Sequence, residues 1–432
     1  MSWRPLLALG LGTFALAGLS ASLGAQRAGT FMGSSEDRAI AYTTARLNNA
    51  VLDVNRRLQD GSLTFSFDSR SGFLRSALDA LQLPVDSQML VFSRTSLQGK
   101  RIGDQNPRAL FFNDRVALGW VRGGDLLEVA AHDETEGIVF YTLEQRADIA
   151  SPPQFQRAFV CLGCHMAGST LNVPGLLMFS TSRPEPTQFS GVPRHIDQSD
   201  PLTRRFGGWF VTGSSGSVRN MGNDVAALDG RPTHELTSVE GLFDPGGYPA
   251  LSSDVVAQMV LTHQAGMTNL LTRAAWEARA ADPTLHAPFT STPEQDASIA
   301  AVMNGVASEV VDYLLFVDEA RLTDRVRGAS GFAERFSGSG PRDSKGRSLY
   351  ELDLNRRLMK YPCSYLIYSR AFDALPPLAK APIYRRLWDV LSGQEQDPRY
   401  RSALPLADRR AIVEILRDTK KDLPAYFQNV TR

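Results

Sequence analysis

Three cysteines, Cys161, Cys164 and Cys363, are all that 432 residues contain. So few cannot form the disulfide framework that small exported scaffolds rely on. No charge excess is present either, since Lys+Arg and Asp+Glu both number 46. Without a basic stripe, nucleic acid is not an expected partner. Near-neutrality also argues against strong steering of a highly charged partner. Histidine is scarce, at six residues. After residue 25 no apolar run is long enough to span a bilayer, so the mature chain is expected to have no transmembrane segment. Internal repeats, low-complexity tracts, phosphate-binding glycine loops and nucleophile motifs are all missing.

What is present begins with an export signal. Arg4 is a basic residue ahead of an uncharged apolar run, Leu6 to Leu19, and a stretch rich in small residues follows, Ser20 to Ala25. That order reads as a secretory signal peptide, 1–25, cleaved after Ala25. The run is shorter than the ~20 residues of a membrane-spanning helix. A periplasmic or otherwise exported location is expected. Losing residues 1–25 removes one base and no acid, so 46 bases become 45 against 46 acids.

The rest reads as an α+β chain: a strand-rich N-terminal domain, then a mainly helical domain with long irregular loops. Residues 26–35 look like a disordered lead-in. A mixed, strand-rich domain is expected over 36–150. Within it, helical spacing covers 36–60 and 74–81, and short strand-like runs cover 63–67, 89–93, 109–112, 116–121, 126–131 and 138–143. Ser151-Pro152-Pro153 punctuates the chain. A second domain is expected over 151–336. It opens with a short helix over 155–164 and has an irregular stretch over 167–250, long enough to wrap around something large. Helices are expected from Ser252 or Ser253 onward, over 294–322, and in a C-terminal helical region, 341–432, at 349–360, 382–392 and 407–420. Ser337 to Pro341 reads as a linker, and Cys363 as a buried, inert thiol.

The motif that carries chemistry is Cys161-Leu162-Gly163-Cys164-His165. Two thiols three residues apart on one helical turn can add to the two vinyl groups along one porphyrin edge. The next residue then offers its imidazole to the iron. A zinc site would need two more close ligands, and none is visible in the sequence. A thioredoxin-type pair would leave His165 unexplained.

This motif resembles that of c-type cytochromes, over residues 155–175. The resemblance implies one covalent haem c on Cys161 and Cys164, with His165 as axial iron ligand. It also implies that a backbone carbonyl in Asn172-Val173-Pro174-Gly175 orients the imidazole. The chain departs from a small cytochrome in the more than one hundred residues before the motif and the more than two hundred after it, and no Met-Pro pair marks a distal methionine.

The sixth ligand decides function: a closed iron carries electrons, an open one binds or catalyses. His263 is the first distal candidate, mid-helix on an apolar face, one turn from Met259 and from Met267. Met221, fifty-six residues after His165, is the alternative. His195 and His234 sit in loops. Tyr361, Tyr365 and Tyr368 form an aromatic stripe that core packing explains. The expected function is electron transfer by a periplasmic mono-haem c-type protein. The alternatives are a haem-dependent oxidoreductase, peroxidase- or oxygenase-like, with an open or displaceable distal position, and a haem-based binding or sensor module. Neither redox partner nor small-molecule substrate is named by the sequence.

Overall fold

The computed structural model describes residues 29–148, 152–181, 193–224, 234–286 and 291–428. The expected signal peptide lies outside these residues. The architecture is α+β, with an antiparallel sheet in the N-terminal part and helices in the C-terminal part.

Alternation builds the sheet. Strands β1 (Met89–Val91), β2 (Arg108–Phe112), β3 (Val116–Trp120), β4 (Leu126–Asp133) and β5 (Gly137–Glu144) coincide with five of the six expected strand runs. The sixth run, 63–67, is not a strand. Along β4 every second residue is buried, which is the period of a strand. On one face Ala109, Phe111, Leu118, Val129 and Tyr141 pack under α1 (Ala50–Gln59) and α2 (Leu74–Ala80). The helix expected over 36–60 is confined to α1, where the buried Asn49 caps the first turn and also binds Asp133 and the Tyr141 hydroxyl. Residues 29–35 are not a loose lead-in, because Phe31 is buried edge-on against Trp276.

The sheet does not stop at residue 150. Its seven strands run β6-β5-β4-β3-β2-β1-β9, with β6 (Gln156–Arg157) and β9 (Trp209–Phe210) at the two edges. In place of a helix over 155–164, the chain makes β6, a single 3₁₀ turn (Phe159–Cys161) and then α3 (Leu162–His165). Pairing with the open edge of β5 wins over local helix propensity there. A two-stranded hairpin, β7 (Phe179–Thr181) with β8 (Pro193–His195), lies between α3 and β9.

Helix α4 (Val255–Ala281) is buried almost all round and joins the two halves. Asp254, not a serine, is its N-cap, accepting from the backbone N–H groups of Val256 and Ala257. Trp276 of α4 enters the core beneath the sheet, while most of its buried residues belong to a second, helical core. That core also holds α5 (Pro293–Leu314), α6 (Phe332–Gly338), α7 (Arg370–Asp373), α8 (Pro377–Ser392), α9 (Pro398–Ala403) and α10 (Leu406–Thr419). Pro377, not Pro382, takes the first turn of α8. The helix expected over 349–360 is absent; its residues form turns closed by a Leu352–Met359 bridge. Cys363 is fully buried. No described helix is long and apolar enough to cross a membrane.

Candidate haem-attachment site

The motif leaves the sheet edge at a fixed point. The backbone N–H of Ala158 donates to the Phe140 carbonyl at 2.8 Å. The chain then turns through Phe159–Cys161 into α3, which brings His165 back over β5, its ring 4.8 Å from that of Phe140. Cys164 is exposed and Cys161 half-buried, both as free thiols. Phe159 and Val160, immediately before Cys161, are exposed apolar side chains.

His165 is held through one nitrogen. Its Nδ1 lies 2.9 Å from the Gly175 carbonyl, and the Gly175 N–H donates back to the His165 carbonyl at 2.9 Å. A carbonyl is only an acceptor, so Nδ1 carries the hydrogen and Nε2 keeps its lone pair, turned away from the strap. The residues from 172 to 176 form this strap. Asn269 of α4 fixes it, accepting from the Leu176 N–H at 2.9 Å and donating to the Leu176 carbonyl at 2.9 Å. Gly175 is required at this contact: a Cβ there would sit 2.3 Å from the Asn269 Oδ1. The Ile138 N–H donates to the Pro174 carbonyl, which ties the strap to β5.

The turn between motif and strap is strained. Leu171 and Asn172 both have φ of 60°. Asn tolerates this conformation, whereas Leu does so at a cost of roughly 1–2 kcal/mol. Phe31 holds the turn: its N–H donates to the Leu171 carbonyl at 2.8 Å, and its carbonyl accepts from the Asn172 side chain at 3.2 Å.

Electrostatics favour neutral forms. Burial pushes the Cys161 thiol up to about 11, and the nearby Glu128 adds to the effect. A reactive dithiol needs the opposite, a lowered thiol pKa. Burial holds the His165 imidazole below its usual range, against the Gly175 hydrogen bond that raises it. Among the described residues no three His, Cys, Asp or Glu side chains cluster as a metal-ion site, so nothing completes a zinc site around the two thiols.

Comparison with protein-family models, curated proteins and solved structures finds no match.

The donor set suits a covalently attached haem: two unpaired thiols on one turn, and a neutral imidazole whose tautomer is fixed with Nε2 free. The carbonyl expected somewhere in 172–175 is that of Gly175.

The distal candidates lie in other surroundings. His263 is fully buried, and both its nitrogens are engaged: Nδ1 with the Gln198 Oε1 at 2.6 Å, Nε2 with the Ser364 hydroxyl at 2.7 Å. Its ring stacks on Phe316 at 4.3 Å and on Tyr313 at 5.4 Å. It also leaves α4 on a different side from Asn269, because six residues turn a helix by about 600°. The Met221 sulfur accepts from the Ser180 hydroxyl of β7 at 3.7 Å. His195 of β8 has a buried Nε2 without a partner, as does His132 of β4. Neither orphan nitrogen is legible in a sequence, since partners across a sheet have no local signature. The tyrosine stripe does not converge: Tyr365 binds Gln264 and Tyr368 binds Thr419. Tyr365 also lines a cavity of about 290 Å³ with Phe112, Phe332 and Tyr350, none of them in the motif.

Proposed function

We propose that the chain is an exported mono-haem c-type protein that transfers single electrons, with haem c carried on Cys161 and Cys164 and His165 on the iron. The observation that supports this most directly is the 2.9 Å contact of the His165 Nδ1 with the Gly175 carbonyl, beside two free thiols. Haem bound there supplies a one-electron iron couple. The protein's part is to orient and to shield. Asn269 and Phe31 hold the strap and turn, and the strap holds the imidazole. The exposed Cys164, Phe159 and Val160 leave one edge of the site at the surface, where a partner protein can approach.

A second reading is a haem-dependent oxidoreductase or a binding and sensing module with an open sixth position. It is favoured by His263, whose two nitrogens are both committed elsewhere. Acid–acetone extraction of the denatured chain tests the first part: covalent haem stays with the protein, and extractable haem refutes attachment. Carbon monoxide added to the reduced protein separates the readings. An unchanged spectrum means a closed iron and an electron carrier, whereas rapid binding means an open one.

A further inference from the structure

The sheet has two faces, and only one is covered throughout. On the second face the register gives two rows across the strands. One row is Phe112–Ala117–Ala130–Phe140, and the next is Leu110–Gly119–Glu128–Thr142. The central strands β3 and β4 carry only Ala117, Gly119 and Ala130 at three of their four places. The flanking strands carry Phe112, Leu110 and Phe140. The result is a shallow trough with a floor of small residues. Ala117, Ala130, Leu110 and Thr142 on it are partly exposed, with Phe112 in the helical core and Leu110 and Ala117 packed against it at one end, whereas the opposite face is buried.

The trough adjoins the motif. Phe140 is directly opposite Ala130 in the register and is the residue against which the His165 ring packs. The strap that holds Nδ1 crosses at Ile138, on the far side of Phe140 from Thr142 and Glu128. Nε2 lies on the side of the ring away from that strap.

An ion pair closes one end. Arg108 of β2 reaches across β3 to Glu128 of β4, and Gly119 makes the crossing possible: a Cβ there would meet the guanidinium at 2.3 Å. The Ser96 hydroxyl donates to the same carboxylate at 3.0 Å. The Arg108 Nε is buried and has no partner. Both charges act on Cys161 and on His165.

We propose that this face is the seat of the porphyrin: the plate lies on Ala130 and the exposed part of Ala117, against Phe140, with the Arg108–Glu128 pair, which covers Gly119, at its edge. The inference rests on the haem reading and deepens it. Two strand spacings amount to about 10 Å, comparable to the width of a porphyrin. A β-sheet floor also accounts for the strand-rich region before the motif, which a small helical cytochrome lacks. The pair then has a role beyond packing, since Arg108 favours the ferrous state and Glu128 the ferric state.

The test uses the full chain, produced with haem-attachment machinery, beside Ala130→Phe, Arg108→Gln and Glu128→Gln. Three quantities are measured: haem per chain, the fraction of ferric iron at fixed potential, and the Tm of haem-free chains carrying Cys161→Ala and Cys164→Ala. Ala130→Phe is expected to lower haem per chain by about tenfold through overpacking, while shifting the Tm of the haem-free chain by no more than a few degrees. Arg108→Gln is expected to raise the ferric-to-ferrous ratio by about tenfold and Glu128→Gln to lower it similarly, the size of a half-buried unit charge acting over about 10 Å. Opposite signs are not expected from a purely structural role. Normal haem content with an unaltered spectrum in Ala130→Phe overturns the seat, as do charge variants that shift the ratio the same way or not at all. If Ala130→Phe does not fold without haem, the charge variants decide. A wild-type chain without covalent haem refutes attachment itself and the seat with it; that outcome is read on the wild type alone.

Discussion

Two histidines divide the molecule. His165 sits at the rim of the sheet with one nitrogen tied and the other free. His263 sits in the helical core with both tied and aromatic rings stacked on it. Both are neutral, and burial is the main cause in each, pushing His263 down to about 3. The difference is what remains available. A histidine with two partners is a structural element whose loss takes a partner from the Gln198 amide oxygen and from the Ser364 hydroxyl. A histidine with one partner is oriented and keeps a nitrogen available for a ligand role. Position on an apolar face does not separate the two cases; the count of partners does.

The largest expected effect comes from the motif. Cys161→Ala with Cys164→Ala should abolish haem retention through acid–acetone extraction and leave the Tm of the haem-free chain nearly unchanged, because Cys164 is exposed and Cys161 only half-buried. Next is His263→Ala. Emptying a fully buried site and taking a partner from two polar groups should cost about 3–5 kcal/mol in urea unfolding. The haem spectrum should stay as in the wild type; a shift to high spin in this variant would return His263 to the iron.

The pH dependence of stability is expected to be smaller and two-sided. His263 and His132 are lowered to about 3 and about 4, so their contributions are complete above about 6.5 and fall away as pH drops toward those values. Glu319 runs the other way. Burial raises it to about 7, so its neutral form favours the fold as pH falls from 7 to about 4.5. The two trends oppose each other between about 6.5 and 4.5; below that the histidine loss continues, and the loss from Asp422, lowered to about 2, joins it. Tm against pH should therefore be shallow and then steep, with a loss of a few kcal/mol overall. His263→Gln should flatten the steep limb, and an unchanged limb would remove His263 as its source. Least of all, Asn269→Ala should cost about 1–3 kcal/mol by unpairing both polar groups of Leu176. It should also shift the haem potential through a looser imidazole, and a stability loss with no change in potential would separate the strap from the ligand.

Legibility followed the range of the interactions. Strands β1 to β5 alternate, and α4, α5 and α10 have clear helical spacing, so local pattern was enough to place them. The Gly175 carbonyl was legible to within four residues because it lies only ten residues from His165. What local pattern could not show was set by distant partners. Strands β6 and β9 exist because β5 and β1 offer open edges. Residues 349–360 carry helical spacing yet fold as turns against the helical core. The engagement of His263 by Gln198 and Ser364 spans 65 and 101 residues.

The clasp between Phe31 and the turn after the motif has a consequence in time. Its two sides are 141 residues apart in the chain, so the early segment must wait, unpaired, until the later one has been made. Contacts of such separation form late, because a long loop must close before they return any free energy. While the clasp is open, the turn lacks two of the hydrogen bonds that hold Leu171 and Asn172 in their strained conformation, and on the proposed haem reading that is the interval in which haem can be attached. Closing it ends that interval. On that reading a chain whose clasp shuts too early would mature without its cofactor, and the placing of Phe31 in the core would be a matter of order as well as of packing.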